Sequence, residues 1–317
     1  MRVLGIDTSN YTTSAALVDE NGFRQERRIL SVDKGERGLR QSSALFLHTV
    51  NLPEIIRALA PTEKLDAVAY SAYPRDVAGS YMPCFLAGQA AAQTAASVLN
   101  VPLYRFSHQA GHLMAAVKTC GSASIGKGEF LAFHLSGGTT ELLHVTPDDT
   151  VGFAAEIIGR TLDISAGQLI DRIGVMLGLS FPCGGELERL AGESAQEPTV
   201  QVCVRGADCN LSGAENIAAR MVENGTPACD IAKFALTFVM RTVLGMSQAA
   251  RERYPSLPIL YAGGVMRNAY IRQAVSSALS DTWFAEPALS SDNAVGTAYL
   301  GLERLKREMR QEWKSES

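Results

Sequence analysis

The sequence predicts an α/β protein built from two related halves, each a sheet flanked by helices. Two observations predict this, and a third makes room for it. A short apolar strand, a polar turn and a second apolar strand occur at residues 3–18 and recur at residues 130–145. Each hairpin is followed by alternating helical and strand-like segments, the pattern of strands sandwiched by helices. With 317 residues, 46% of them hydrophobic and 20% charged, the chain has enough apolar material for two domains of roughly 150 residues.

Residues 3–6 read as a strand, Asp7, Thr8, Ser9, Asn10, Tyr11, Thr12 and Thr13 as a hydroxyl-rich turn, and residues 14–18 as the second strand. Arg24, Arg27, Arg28, Lys34, Arg37 and Arg40 form the densest basic stretch and read as a solvated face. A helix over 52–59, a strand over 67–70 and an alanine-rich helix over 86–99, stopped before Pro102, complete the first series. Ser107 is positioned to cap a helix that carries His108 and His112.

Clustered small residues at Gly121, Ser122, Ser124, Gly126 and Gly128 place a boundary near 118–127 and divide the chain into domains 1–120 and 121–291. The second series reads as strands 130–135 and 141–145 around the turn Ser136, Gly137, Gly138, Thr139 and Thr140. A helix over 163–177 follows, with Asp163 as N-cap candidate. A helix over 231–254 ends at Pro255, a strand spans 258–261, and another helix begins near Asn268. Asp292 is a natural N-cap for a last helix. Residues 292–317 are expected to return toward the first domain, with 304–314 as a solvated end.

The first residues carry no basic leader or cleavage site, and no apolar run approaches the ~18 residues that span a bilayer. The six cysteines include no Cys-x-x-Cys and suit free thiols in a reducing cytoplasm. A net charge of -4 argues against gripping nucleic acid through bulk charge, although a local basic groove stays open.

Three motifs carry chemistry. Glycine turns between strands let backbone N–H groups approach a phosphate, and neighbouring hydroxyls add donors. Ser136 to Thr140 therefore reads either as a tight turn or, paired with Asp7, Thr8 and Ser9 in the repeat, as half of a phosphate clamp. Gly263 and Gly264 follow a strand and precede a helix, where a base or sugar can approach a helix start; the alternative is a turn that needs glycine for its backbone angles. His108 and His112 are four residues apart, so on a helix they share a face and can bridge one metal ion. Ordinary packing is the alternative. Asp171, on the 163–177 helix, is within reach of a ribose hydroxyl or simply solvated.

Together these motifs resemble one family across nearly the whole chain: the tRNA threonylcarbamoyladenosine synthase family (TsaD), formerly called O-sialoglycoprotein endopeptidase. The resemblance rests on Gly5-Ile6-Asp7-Thr8-Ser9, the His108 to His112 pair, Ser136-Gly137-Gly138, Gly159-Arg160-Thr161-Leu162-Asp163, Ala166-Gly167-Gln168-Leu169-Ile170-Asp171, Gly263-Gly264-Val265 and Asp292-Asn293-Ala294. It implies an actin-like (ASKHA) fold of two duplicated domains with mixed sheets flanked by helices. It further implies transfer of the threonylcarbamoyl group of threonylcarbamoyl-adenylate to N6 of the adenosine beside a tRNA anticodon, with AMP leaving. His108, His112 and Asp292 would bind one divalent metal, iron or zinc by donor chemistry. Leu135, Ser136, Gly137, Gly138, Thr139, Asp171, Gly184, Glu188 and Asn268 would contact the adenine nucleotide and its acyl phosphate. TsaB-like and TsaE-like accessory proteins and tRNA would be partners.

The chain also departs from the family pattern. Asn10-Tyr11-Thr12-Thr13 stands where the family has Cys-Asp-Glu-Thr, Thr139 where it has His, Gln168 where it has Glu, and Ile164 where it has a second Asp. The segment 73–84 is longer than the usual Gly-Pro-Gly turn. These changes point to a divergent paralogue whose binding scaffold is better kept than its transferase activity. A nucleotide- and metal-binding protein with another acceptor, or a scaffold, is thus the main rival reading. An actin-like sugar or acyl kinase is a further one, though it leaves the His pair unexplained. No metallopeptidase base or nucleophile triad supports a peptidase.

Overall fold

The computed structural model describes residues 1–9, 11–30, 39–59, 63–286, 289 and 293–316. The chain divides into two compact units, one of Met1–Thr119, Thr146–Ala154 and Ser291–Ser317, the other of Cys120–Val145 and Ala155–Ser290.

The first unit opens with strands β1 (Val3–Asp7), β2 (Thr12–Asp19) and β3 (Gly22–Ile29), then helix α1 (Gln41–Leu59), β4 (Ala67–Tyr73), α2 (Phe85–Leu99), β5 (Leu103–Ser107) and α3 (His108–Thr119). Its sheet has the order β3-β2-β1-β4-β5. The first three strands form an antiparallel meander, and β4 and β5 add in parallel on the other side of β1. β1 is buried throughout, so it reads as a continuous apolar run. Leu4, Ile6, Leu17 and Val68 of the sheet pack with Leu52, Ile55 and Leu59 of α1 and with Ala92 and Ala96 of α2.

The second unit repeats this plan. It runs β6 (Phe130–Leu135), β7 (Thr140–Asp148), β8 (Gly152–Arg160), α4 (Ala166–Met176), α5 (Gly184–Ala191), β9 (Cys203–Arg205), β10 (Asp208–Asn210), α6 (Ser212–Glu223), α7 (Ala228–Arg253), β11 (Ile259–Ala262), a 3₁₀ turn (Gly264–Arg267), α8 (Ala269–Ala278) and β12 (Thr282–Phe284). Its sheet order, β8-β7-β6-β11-β12, matches that of the first unit strand for strand. β6 and β7 are antiparallel, whereas β11 is parallel to β6 and to β12. The hairpin repeat seen in the sequence is therefore a repeat of topology. α7 supplies Phe234, Phe238 and Val243 to a core completed by Leu131, Phe133 and Leu135 of β6.

The last helix, α9 (Val295–Glu316), packs on α3 and on β1 and β4 of the first sheet. Small residues permit the close approach: a Cβ on Gly296 would overlap the Gly111 carbonyl, and one on Gly111 would lie 2.7 Å from Thr297 Oγ1.

Several sequence expectations change. The basic stretch is in part the edge strand β3, whose Arg24 and Arg27 are exposed and whose Arg28 pairs with Glu54 at 2.6 Å; charge on an edge strand opposes unwanted pairing. Lys34 and Arg37 lie outside the described residues, as does Asp292. The first helix begins at Gln41 rather than Leu52 and carries Pro53 within it. The expected 163–177 helix starts at Ala166, because Ser165 and Gln168 form a reciprocal capping box. Asp163 instead braces the start of α6, accepting from the Leu211 amide at 2.8 Å and the Ser212 hydroxyl at 2.6 Å.

Candidate functional site

In the first unit the residues at the end of β1, Asp7 to Ser9, are buried and hydrogen-bonded within the unit. Asp7 Oδ1 accepts from the amide and hydroxyl of Ser9, while Oδ2 accepts from Ser71 and pairs with His108 Nδ1 at 2.8 Å. Thr8 donates to the Cys84 carbonyl at 2.9 Å and accepts from the Gly88 amide at 3.1 Å. Asp7, Thr8 and Ser9 are all 0–1% exposed. The hydroxyls expected to form half of a phosphate clamp are thus spent holding β1 to its neighbours. Burial pushes the Asp7 carboxyl up, but its electrostatic attraction to His108 and the hydrogen bonds from His108, Ser71 and Ser9 hold it below its ordinary value. It is a carboxylate at neutral pH.

Ser107 accepts from the Ala110 amide at 3.2 Å, capping α3 and fixing where its first turn begins. His108 and His112 then share one face, with Nε2 of one 2.9 Å from Nε2 of the other. Since His108 points Nδ1 at a carboxylate, its proton belongs there and Nε2 presents a lone pair toward His112. A carboxylate behind an imidazole is the usual support of a metal-ligating histidine. Two nitrogens 2.9 Å apart also suit a metal held by bonds of about 2.0–2.1 Å. The pair fits a metal by both tests. Among the described residues no third His, Cys, Asp or Glu completes a ligand set, and the expected third ligand, Asp292, is outside them. The residues from 293 onward are bonded within the first unit: Asn293 Oδ1 accepts from Val295 N, the Ala294 amide donates to Ser14 at 2.9 Å, and Thr297 meets Ser71 at 3.0 Å.

In the second unit the corresponding turn is open. Ser136 N donates to Thr139 O at 2.8 Å, and Ser136 Oγ accepts from the amides of Gly138 and Thr139. Gly137 and Gly138 are exposed, and the Gly137 N–H makes no hydrogen bond among the described residues. The Leu135 side chain is buried in the core, so only its backbone faces the turn. Its carbonyl packs against Gly263, whose φ of +101° and lack of Cβ that contact requires. Ser165 joins turn to helix by donating to Gly137 O at 2.7 Å while capping α4. Gln168, a departure from the family pattern, serves that cap by accepting from Ser165 N at 3.1 Å.

Gly137, Asp171, Gly184, Glu188 and Asn268 line one cavity of about 540 Å³, with Phe181, Gly264 and Arg267. Asp171 Oδ1 accepts from the Cys183 amide at 2.8 Å, and Glu188 Oε1 from the Ala269 amide at 2.7 Å. Each carboxylate is thereby fixed through one oxygen, and no hydrogen bond to its other oxygen is formed among the described residues. Asn268 is 7% exposed and caps α8, its Oδ1 accepting from Ile271 N at 3.0 Å. Ala269 N and Ile271 N at the start of α8 are thus both satisfied by side chains, whereas Gly137 N in the Ser136 to Thr139 turn makes no hydrogen bond among the described residues. Sequence reading missed Ser71, Ser165, Phe181 and Arg267. Only Ser165 left a signal, as the first residue of Ser-x-x-Gln.

The fold and these two sites define the class: an actin-like protein with a nucleotide-sized cavity in one unit and an imidazole pair in the other. The chain is similar to the activator of 2-hydroxyisocaproyl-CoA dehydratase from Clostridium difficile, solved with bound ADPNP (14% identity, TM-score 0.56, 98% of each chain). It is also similar to component A of (R)-2-hydroxyglutaryl-CoA dehydratase from Acidaminococcus fermentans (16%, TM-score 0.54, 94% of this chain and 96% of that one). A third similarity is to T. kodakarensis HypF (15%, TM-score 0.59, 95% of this chain and 47% of that one). The model of the TsaD family, tRNA N6-adenosine threonylcarbamoyltransferase, matches residues 42–299. The chain belongs to that family. None of its six cysteines, all of them described, is in a disulfide, and no helix among the described residues is long and apolar enough to cross a membrane.

Proposed function

We propose that this chain transfers the threonylcarbamoyl group of threonylcarbamoyl-adenylate to N6 of the adenosine beside the anticodon of a tRNA. The observation that carries the reading is the span of the family match, residues 42–299, which includes the His108 and His112 pair and every residue lining the cavity. In this reading the free oxygens of Asp171 and Glu188 take the ribose hydroxyls, and the amides of Gly137 and Gly138 take the phosphate. The Gly137 amide makes no hydrogen bond among the described residues and is held in its turn before the ligand arrives, so it stabilises charge on the departing AMP without reorganising, whereas the Gly138 amide would exchange its 3.4 Å bond to Ser136 Oγ for the phosphate. The N6 amine attacks the carbamoyl carbon, a C–N bond forms, the C–O bond to phosphate breaks, and N6 loses a proton. No protein nucleophile is needed.

His108, His112 and Asp292 are the proposed ligands of one divalent ion, iron or zinc, with Asp7 holding His108 in the ligating tautomer. When bound, such an ion supplies Lewis-acid polarisation of a carbamoyl or phosphate oxygen. TsaB-like and TsaE-like proteins are the proposed accessories and the cytoplasm the proposed compartment. One observation favours the second reading, a family member with another acceptor. Tyr11 and Thr12 stand in place of the family's acidic residues, Tyr11 41% exposed and Thr12 8% exposed at the start of β2, and neither supplies a carboxylate there.

Release of AMP from threonylcarbamoyl-adenylate separates the readings. Release that rises with added substrate tRNA supports the transfer. Release indifferent to tRNA favours another acceptor, and ADP formed from ATP with a sugar or acyl acceptor favours a kinase.

A further inference from the structure

Two side chains border the cavity of the second unit without taking part in the contacts assigned above. Arg267 ends the 3₁₀ turn, is exposed, and makes no ion pair among the described residues although Asp171 and Glu188 line the same cavity. Phe181, just before α5, is 75% exposed and makes no ring contact among the described residues. A large aromatic ring left in water forgoes the stabilisation that burial would bring. A guanidinium that makes no ion pair with the two carboxylates of its own cavity is not positioned as their counter-ion. What the two groups share is a flat face. A guanidinium plane stacks on aromatic systems, and a phenyl ring stacks offset on another ring. With ribose assigned to Asp171 and Glu188 and phosphate to the Gly137 turn, the faces of the nucleobase are the part of the ligand to which no side chain has been assigned, and they are planar.

We propose that Arg267 and Phe181 bind the purine base of the nucleotide by stacking on its faces and thereby set the preference of the cavity for a base-bearing ligand. The proposal rests on the nucleotide reading of the cavity. It predicts that the base adds affinity through these two side chains and through no charge effect on the phosphate.

The test is calorimetric titration of AMP and of ribose 5-phosphate into the wild type, Arg267→Ala, Arg267→Lys and Phe181→Ala. Both positions are exposed, so the variants should fold, and ribose 5-phosphate affinity checks that the rest of the cavity is intact. The expected result is that each variant binds AMP on the order of tenfold more weakly and ribose 5-phosphate unchanged, with Lys no better than Ala at 267. Wild-type affinity for AMP in all variants would overturn the proposal and leave the nucleotide reading standing. Parallel loss of both ligands, or full rescue by Lys, would assign Arg267 to charge and overturn stacking. A wild type that binds neither ligand would remove the nucleotide reading and this proposal with it.

Discussion

At the scale of single residues, the two ends of the Asp7 to His108 contact explain each other. Asp7 is buried and accepts four hydrogen bonds, and the imidazole it orients sits 2.9 Å from a second one. Asp7→Asn replaces one carboxylate oxygen with a donor and turns the His108 tautomer around. Metal affinity, measured by competition with a chromophoric chelator, should fall about 10- to 100-fold. An unchanged affinity would separate Asp7 from the metal. Asn268 offers a cleaner separation of stability from binding, because its Oδ1 caps α8 while the residue also lines the cavity. Asn268→Ala should cost about 1 kcal/mol in thermal or urea unfolding, whereas Asn268→Asp should keep the cap. Weaker AMP binding in both variants assigns the amide group to the ligand. The role of Asn268 as a cap was legible in its position before a helix, but the Asp7 contacts were not. They join residues 64 and 101 positions apart in the chain, and no local pattern encodes such a separation.

Among the elements, the strands and helices with strong periodicity were readable, and the edges were not. β1, β2, β6 and the long α7 are apolar where they face the core, so their residue types carry the signal. β3 is almost wholly exposed, with arginines where an inner strand would have apolar residues, and it read as a charged surface. The start of α4 was misplaced for a different reason. Asp163 and Ser165 are both good cap residues, and only the Gln168 partner, three residues on, distinguishes the true cap. Asp163 serves another element, bracing α6 across 48 residues of chain. Partial burial pushes its carboxyl up, but hydrogen bonds from the Ser212 hydroxyl and from the amides of Leu211, Ser212 and Ile164 hold it well below its ordinary value. A depressed carboxyl contributes stability above its unfolded pKa, near 4, and loses it as pH falls toward the folded value. Urea unfolding between about pH 2.5 and 5 should therefore lose stability more steeply with acid in the wild type than in Asp163→Asn. Parallel curves would show that the carboxylate does not brace α6.

The whole molecule uses its repeated plan in two ways. Each unit begins with the same strand, turn and strand, and the strand order of the two sheets is the same. Yet the turn after β1 is closed by its own hydroxyls, whereas the turn after β6 leaves Gly137 and Gly138 exposed. Duplication made the fold legible in the sequence; the division of labour depends on which hydroxyls find internal partners, and that emerges only once the chain is folded. With a net charge of -4, the proposed binding of tRNA would rest on local contacts rather than on bulk attraction, and the proposed accessory proteins would add to those contacts. The central claim is that this chain modifies tRNA despite Tyr11, Thr12 and Thr139. Mass spectrometry of nucleosides tests it most directly, using tRNA incubated with the chain, threonine, bicarbonate, ATP, the adenylate-forming enzyme and the accessory proteins. The account predicts threonylcarbamoyl-adenosine, lost in His112→Ala. Unmodified adenosine throughout, with an authentic family member active in the same mixture, would contradict it.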